Sequence, residues 1–195
     1  MIAIIDYEAG NICSVENALA RLGASYELTA DPAKIMGADK VILPGVGHAG
    51  RAMESLRATG LADVIVRLRQ PVLGICVGMQ LMCRSSEEGM DAGLGLFDAR
   101  VSRFVEAPDA KVPHMGWNAV GNLDSKLFKG IDGGSHFYFV HSYYAPLCPD
   151  TIATCLHGDK RFSAALKWEN FYGTQFHPEK SGPVGAQLLQ NFLAL

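Results

Sequence analysis

Short apolar runs alternate with helical text as far as about residue 85, and that alternation restricts the chain to one fold class. Met1 to Asp6 is apolar and β-branched and reads as a buried central strand. Tyr7 to Asn11 reads as a turn, after which Ile12, Val15, Leu19 and Leu22 fall on one helical face that ends at Gly23. Ser25 to Leu28 is a second strand. Asp31 then caps a short helix with Pro32 at its first position, and Lys40 to Leu43 is a third strand. Helical text from about Ala49 to Arg69 breaks near Gly60, and Val72, Leu73 and Ile75 make a fourth apolar run. Strand and helix in strict alternation predict an α/β fold, a mostly parallel sheet with helices on both faces. Sites in such sheets form at the carboxyl ends of the strands. The loop Pro44-Gly45-Val46-Gly47 and Cys76 both stand at such ends, so they are expected to face one crevice.

The stretch from Pro71 to Gln80 has the layout of a nucleophile elbow: a strand, a glycine-flanked bend bearing a nucleophile, and a helix. Here the pattern is Gly-x-Cys-x-Gly, with Gly74 and Gly78 around Cys76. The bend needs unusual backbone angles and close approach of other groups, and side chains at 74 and 78 would obstruct both. A helix dipole favours negative charge at its N-terminus, where Cys76 would sit. The same stretch read alone also fits a small cysteine buried in a core.

The second half changes character. Ser85 to Gly95 reads as an acidic, glycine-containing loop. Phe97–Val105, Trp117–Val120, His136–Tyr144, Ile152–His157, Ala164–Trp168 and Phe171–Phe176 read as strands with short connections. They predict additional, partly antiparallel strands that join or cover the first sheet. Lys126 to Phe128 is expected to form a helical turn. Gly185 to Leu193 is expected to form an amphipathic helix with Leu188, Leu189, Phe192 and Leu193 inward.

With 195 residues and no linker or repeat, a single domain over 1–195 is expected. A net charge of −3 without like-charge runs leaves no electrostatic footprint for nucleic acid or an anionic membrane. No apolar run approaches the roughly 18 residues of a membrane-spanning helix. The N-terminus lacks a basic region and reads as a strand, not a signal peptide. Cys13, Cys76, Cys83, Cys148 and Cys155 are five cysteines without a CxxC pair, which disfavours a disulfide framework or a zinc site and points to a reducing cytoplasm.

A catalytic thiolate needs a base, and the base needs an orienting group. Among the six histidines, His177 lies in Gly173-Thr-Gln-Phe-His-Pro-Glu179. It closes a strand, Pro178 turns the chain, and the Glu179 carboxylate can then reach the outer nitrogen of the imidazole. Cys76, His177 and Glu179 make a chemically complete set, although His-Pro-Glu alone is also an ordinary surface turn. The backbone N–H of Val77 and one from the 44–47 loop, at Val46, can supply an oxyanion hole. That loop is equally a plain βα turn when read by itself.

Gly-Ile-Cys-Val-Gly-Met-Gln80 and Thr-Gln-Phe-His-Pro-Glu179 together resemble the two signatures of the class I (triad) glutamine amidotransferases, a flavodoxin-like fold. Pro44-Gly-Val-Gly47, Pro113-His-Met-Gly-Trp-Asn118 and Phe137-Tyr-Phe-Val-His-Ser-Tyr143 narrow the resemblance to the glutaminase subunits of imidazole glycerol phosphate synthases, of histidine biosynthesis. The resemblance covers essentially the whole chain. It implies that Cys76 attacks the side-chain amide of L-glutamine and that His177, oriented by Glu179, protonates the departing ammonia and then activates water. It implies substrate contacts at Gly47, Gln80, Glu88, Ser142 and Tyr143, with Glu88 holding the ammonium group. It implies no cofactor and no metal. The implied partner is a (β/α)8-barrel cyclase subunit that consumes the ammonia, with Asn11, Trp117, Tyr138 and Lys180 near the interface. It further implies an oxyanion loop brought into line when the partner docks. Glu8 departs from the glycine usual in the family and adds a charge near the expected interface. A glutaminase for another synthase, a cysteine hydrolase of the same fold and a non-enzymatic binding domain remain competing readings.

Overall fold

The computed structural model describes residues 1–7 and 12–195. Strand β1 (Ile2–Ile5) leads to helix α1 (Ile12–Arg21), β2 (Tyr26–Thr29) and α2 (Pro32–Gly37). The Asp31 carboxylate accepts from the Ala33 N–H at 2.8 Å, and Pro32 occupies the first turn, so this helix begins where the sequence placed it. Strand β3 (Lys40–Leu43), helices α3 (Ala49–Ala58) and α4 (Leu61–Ile65), β4 (Val72–Ile75) and α5 (Val77–Met82) follow. Gly60 separates α3 from α4 because it adopts φ +73°, a left-handed value that a helix interior does not hold.

The expected loop after α5 differs in its first part. Cys83–Ser86 is a strand, β5, pairing in parallel with β6 (Phe97–Arg103). Its residues, Cys-Arg-Ser-Ser, carry no apolar alternation; the pairing partner makes the strand, not local propensity. Then come β7 (His114–Gly121), a 3₁₀ turn at Lys126–Phe128, β8 (Ser135–His141) and the short β9 (Tyr143–Tyr144). The expected single strand through Tyr144 is thus divided at Ser142, and β9 leaves the main sheet to pair with β6. Strands β10 (Thr151–His157), β11 (Lys160–Trp168) and β12 (Phe171–Thr174), a 3₁₀ turn at Pro178–Lys180 and helix α6 (Gly182–Leu193) complete the chain. In α6, Leu188, Leu189 and Phe192 are buried, while Leu193 is half-buried.

The main sheet has nine strands in the order β2-β1-β3-β4-β12-β11-β10-β7-β8, and β5-β6-β9 forms a smaller sheet. From β2 to β12 all neighbours run parallel; from β12 to β8 all run antiparallel. Every residue of β1, β4 and β12 is buried, which is why β1 and β4 read as continuous apolar runs; β12 ends in the buried Thr174. Fully burying each such Ile, Leu, Val or Phe contributes about 1.5–3 kcal/mol. Helix α3 packs with α4 and α5, whereas α1 and α6 both meet the Pro178–Lys180 turn.

The order β3-β4-β12 positions everything that follows. The chain leaves β3 into the Pro44–Gly47 loop, leaves β4 at Cys76, and leaves β12 toward His177. Leu43 pairs with Gly74, and Gly74 with Gly173, so three exits stand side by side at the carboxyl ends of adjacent central strands. No helix among the described residues is long and apolar enough to cross a membrane.

Candidate active site

Cys76 has φ 53° and ψ −109°, a conformation that side chains rarely adopt, at the bend between β4 and α5. Glycines hold this bend by direct backbone contact. A Cβ on Gly74 would stand 2.8 Å from the Gly78 carbonyl, and one on Gly78 would stand 2.0 Å from the Leu43 oxygen. A Cβ on Gly45 would stand 2.4 Å from the Gly78 nitrogen. The loop after β3 therefore rests on the elbow with no side chain between them. The Cys76 N–H donates to the Thr174 carbonyl at 2.7 Å, which ties the elbow to β12 as well.

His177 and Glu179 are brought together as the Pro178 turn suggested. Nδ1 of His177 lies 2.7 Å from Oε1 of Glu179, and the two side chains are 1% and 2% exposed. The His177 backbone N–H donates to the Tyr138 carbonyl at 2.9 Å, and the Ser181 hydroxyl donates to the His177 carbonyl at 2.6 Å. The turn is thus fixed to β8 and to the start of α6. Burial works against a charged His177, but the Cys76 sulfur on one side and Glu179 on the other more than offset it, raising its pKa from 6.5 to about 10. Nε2 of His177 is buried and, among the described residues, has no hydrogen-bond partner of ordinary geometry; the Cys76 sulfur lies on that side.

A cleft of about 320 Å³ opens beside Cys76. Val46, Gly47, Val77, Gln80, Glu88, Ser142, Tyr143 and His177 all line it, so the expected oxyanion and substrate residues converge. Its size suits one small metabolite. The Val77 N–H belongs to the first turn of α5, where backbone donors have no partner within the helix. Glu88 also accepts from the Ala49 N–H at 2.9 Å, which anchors its loop to the start of α3. Gln80 donates to the Tyr143 carbonyl and to Oε1 of Gln175, both at 3.0 Å. Gln175 in turn donates to the Cys76 sulfur at 3.7 Å.

Trp117 is 56% exposed and packs edge-on against Tyr138 at 6.1 Å between ring centres; the two are cross-strand neighbours on β7 and β8. They are surface aromatics and not core ones. Lys180 is exposed in the turn that follows His177. Asn11 and Glu8 lie outside the described residues.

Several contributors escaped the sequence reading. The Tyr7 hydroxyl donates to the Pro44 carbonyl at 2.6 Å and so holds the root of the 44–47 loop. Burial first, and then charge on Cys76, push its phenol pKa up. Tyr7 follows β1, the neighbour of β3, and the rule that sites gather at strand ends would have marked it. Gln175 sits two residues before His177 in the motif already noted. Pro113, Val140 and His141 also line the cleft, and each lies in or beside a motif noted for other residues.

A strained cysteine at a strand–helix bend, with a buried His–Glu pair on a neighbouring strand, is the layout of a thiol-dependent acyl-transfer site. Residues 3–195 match the family described as glutamine amidotransferase class-I, and the chain belongs to that family. It is 55% identical to the imidazole glycerol phosphate synthase subunit HisH of Bacteroides thetaiotaomicron, covering 100% of this chain and 99% of the relative. It is 48% identical to the subunit of the same name from Escherichia coli K12, with the same coverage. A crystal structure of a glutamine amidotransferase superimposes with a TM-score of 0.75 at 19% identity, over 100% of this chain and 98% of that one, which shows the shared fold.

Proposed function

We propose that the chain, as one amidotransferase domain spanning residues 1–195, is the glutaminase subunit of an imidazole glycerol phosphate synthase. It hydrolyses L-glutamine to glutamate and ammonia and passes the ammonia to the cyclase subunit for formation of imidazole glycerol phosphate in histidine biosynthesis. The observation that carries the site assignment is the cleft that joins Cys76, at φ 53°, to His177.

In this reading the Cys76 thiolate attacks the side-chain amide carbon of glutamine. The N–H groups of Val46 and Val77 stabilise the oxyanion. Imidazolium His177 protonates the departing nitrogen, and ammonia leaves a γ-glutamyl thioester. His177, now neutral, takes a proton from water, hydroxide attacks the thioester, and glutamate departs as the thiolate is restored. Glu179 orients His177 and favours its charged form. Gly47, Gln80, Ser142 and Tyr143 hold the amino-acid end of the substrate, and Glu88 takes its ammonium group. Partner docking over Asn11, Trp117, Tyr138 and Lys180 brings the Gly45–Val46 peptide into line, so the isolated chain hydrolyses glutamine slowly. All five cysteines are free thiols, which suits a cytoplasmic enzyme.

The test is Cys76→Ala assayed in the complex with the cyclase subunit. Glutamine-dependent synthesis is expected to vanish while synthesis from ammonium salts persists. Glutamine-dependent synthesis by that variant would refute the assignment of the nucleophile.

A further inference from the structure

Two histidines beside the cleft, His114 on β7 and His141 at the end of β8, have no part in the chemistry just described; His141 touches the cleft wall and His114 lies behind it. They are cross-strand neighbours in direct register. Both are buried, at 5% and 6% exposure. Nδ1 of His114 lies 2.9 Å from Nε2 of His141. Nδ1 of His141 lies 2.7 Å from the Tyr143 carbonyl oxygen. Nε2 of His114 lies 3.0 Å from Nδ2 of Asn118.

The proton positions in this chain follow from its ends. A carbonyl only accepts, so Nδ1 of His141 carries the proton toward Tyr143. A neutral imidazole then accepts at Nε2, so Nδ1 of His114 is the donor and its Nε2 the acceptor. The Asn118 amide must supply the last donor, and its orientation is set independently. Its oxygen accepts from the Ala119 N–H at 2.8 Å, and its nitrogen also donates to the Leu156 carbonyl at 2.8 Å. The bonds run in one direction, from Asn118 through His114 and His141 to Tyr143. The same Tyr143 carbonyl accepts from Gln80, which donates also to Gln175, which donates to the Cys76 sulfur.

We propose that His114 and His141 are positioning residues that fix the Tyr143 carbonyl, and through it Gln80, against the glutamine cleft. This rests on the reading of that cleft as the glutaminase site. The rings are clamped as a positioning element requires. His114 is stacked between Phe139 at 4.8 Å and His157 at 4.2 Å, and His141 is packed against Phe104 at 5.4 Å and Phe162 at 5.3 Å. Burial, reinforced by the neighbouring His157, lowers the pKa of His114 to about 4; burial and then His114 lower that of His141 to about 3. Both rings therefore stay neutral at working pH, and the direction of the chain does not change. A charged ring would set two N–H donors against each other at 2.9 Å. Apolar replacements would fill the space but leave the Tyr143 carbonyl without its second donor.

The test uses the full chain in its complex with the cyclase subunit. Nitrogen-15 NMR of labelled histidine at pH 7 is expected to show His114 and His141 neutral and protonated at Nδ1. His141→Leu leaves the Tyr143 carbonyl with Gln80 as its remaining donor and frees it to shift, so the variant is expected to raise KM for glutamine about tenfold, with the change falling on KM rather than kcat. His141→Asn places an amide N–H near the lost Nδ1 and is expected to recover most of that loss. An Nε2–H tautomer or a charged ring at either position overturns the relay, and the spectrum decides this in the unmutated protein even if a variant does not fold. An unchanged KM in His141→Leu, or an Asn variant as defective as the Leu one, also overturns it. Failure of iodoacetamide to alkylate Cys76 in the unmutated protein ahead of the other thiols is a separate result. It would refute Cys76 as nucleophile, with the relay intact.

Discussion

Replacing Glu179 by Gln tests the electrostatics of the site with almost no change of shape. In the intact protein the pKa of His177 stands at about 10 against an ordinary 6.5. At 1.36 kcal/mol per tenfold step this is roughly 5 kcal/mol of preference for the imidazolium. Burial opposes that preference, so the Cys76 sulfur and the Glu179 carboxylate together supply more than the net. A carboxylate in contact with a buried cation accounts for about one to three powers of ten in its ionisation, or about 1.5–4 kcal/mol. Glu179→Gln keeps an acceptor near Nδ1 at 2.7 Å but removes the charge. Cys76 remains to favour the charged ring, and the imidazolium is expected to lose its proton between about pH 7 and 9. The assay is glutaminase kcat/KM in the complex from pH 6 to 10.5. The alkaline limb in the unmutated enzyme is expected near pH 10, and in the variant it moves down by one to three units. At pH 9.5 the variant is expected to lose about threefold to two-hundredfold in kcat/KM, the larger loss belonging to the larger shift. An alkaline limb that does not move would refute the claim that Glu179 helps set the charge of His177.

The same linkage reaches stability. A raised folded-state pKa for His177 contributes stability in full below about pH 6.5, and this is lost as pH rises through about 10, so the unfolding midpoint in urea is expected to fall on going from pH 7 to 10.5. Gly78→Ala places a Cβ 2.0 Å from the Leu43 carbonyl and must separate β3 from the elbow. Overpacking of this kind costs about 1–3 kcal/mol or more, read as a lower urea midpoint together with lost glutaminase activity. Trp117→Ala is expected to weaken cyclase binding by about 2 kcal/mol, or about thirtyfold by titration calorimetry, while the isolated chain keeps its unfolding midpoint. Asp31→Ala removes the cap of α2 and is expected to cost about 1 kcal/mol in stability without altering turnover.

What could be read in the sequence was what local physics decides. The four strands of the parallel block up to Cys76 fell within a residue or two of their observed limits: β1, β3 and β4 because buried strands write themselves as apolar runs, and the edge strand β2, half-buried and carrying Glu27, because β1 and the turns around it leave little else for that stretch. The break at Gly60 and the start at Asp31 were legible for the same reason: one residue with one conformational role. Strand β5 was not legible, since Cys83-Arg-Ser-Ser carries no pattern of its own and becomes a strand by pairing with β6. The division at Ser142 was hidden likewise, because Tyr143 and Tyr144 suit either sheet. At the site, Cys76, His177 and Glu179 announced themselves by spacing and glycines. Tyr7 and Gln175 did not, because their contacts, with the Pro44 carbonyl and the Cys76 sulfur, reach segments remote in sequence that the sheet order brings together.

The place of β12 in the sheet bears on how the molecule comes into being. This strand enters between β4 and β11, in register from Phe171–Val72 to Thr174–Ile75. Until it does, β4 presents an unpaired, wholly apolar edge, and Cys76 has neither the Thr174 carbonyl on its N–H nor His177 at its side. A nascent chain that has not yet released residue 174 from the ribosome therefore carries the thiol in a chemically quiet state, next to the edge most prone to aggregate. Closure of the sheet by its last strand removes that hazard and sets His177 beside the cysteine in a single event.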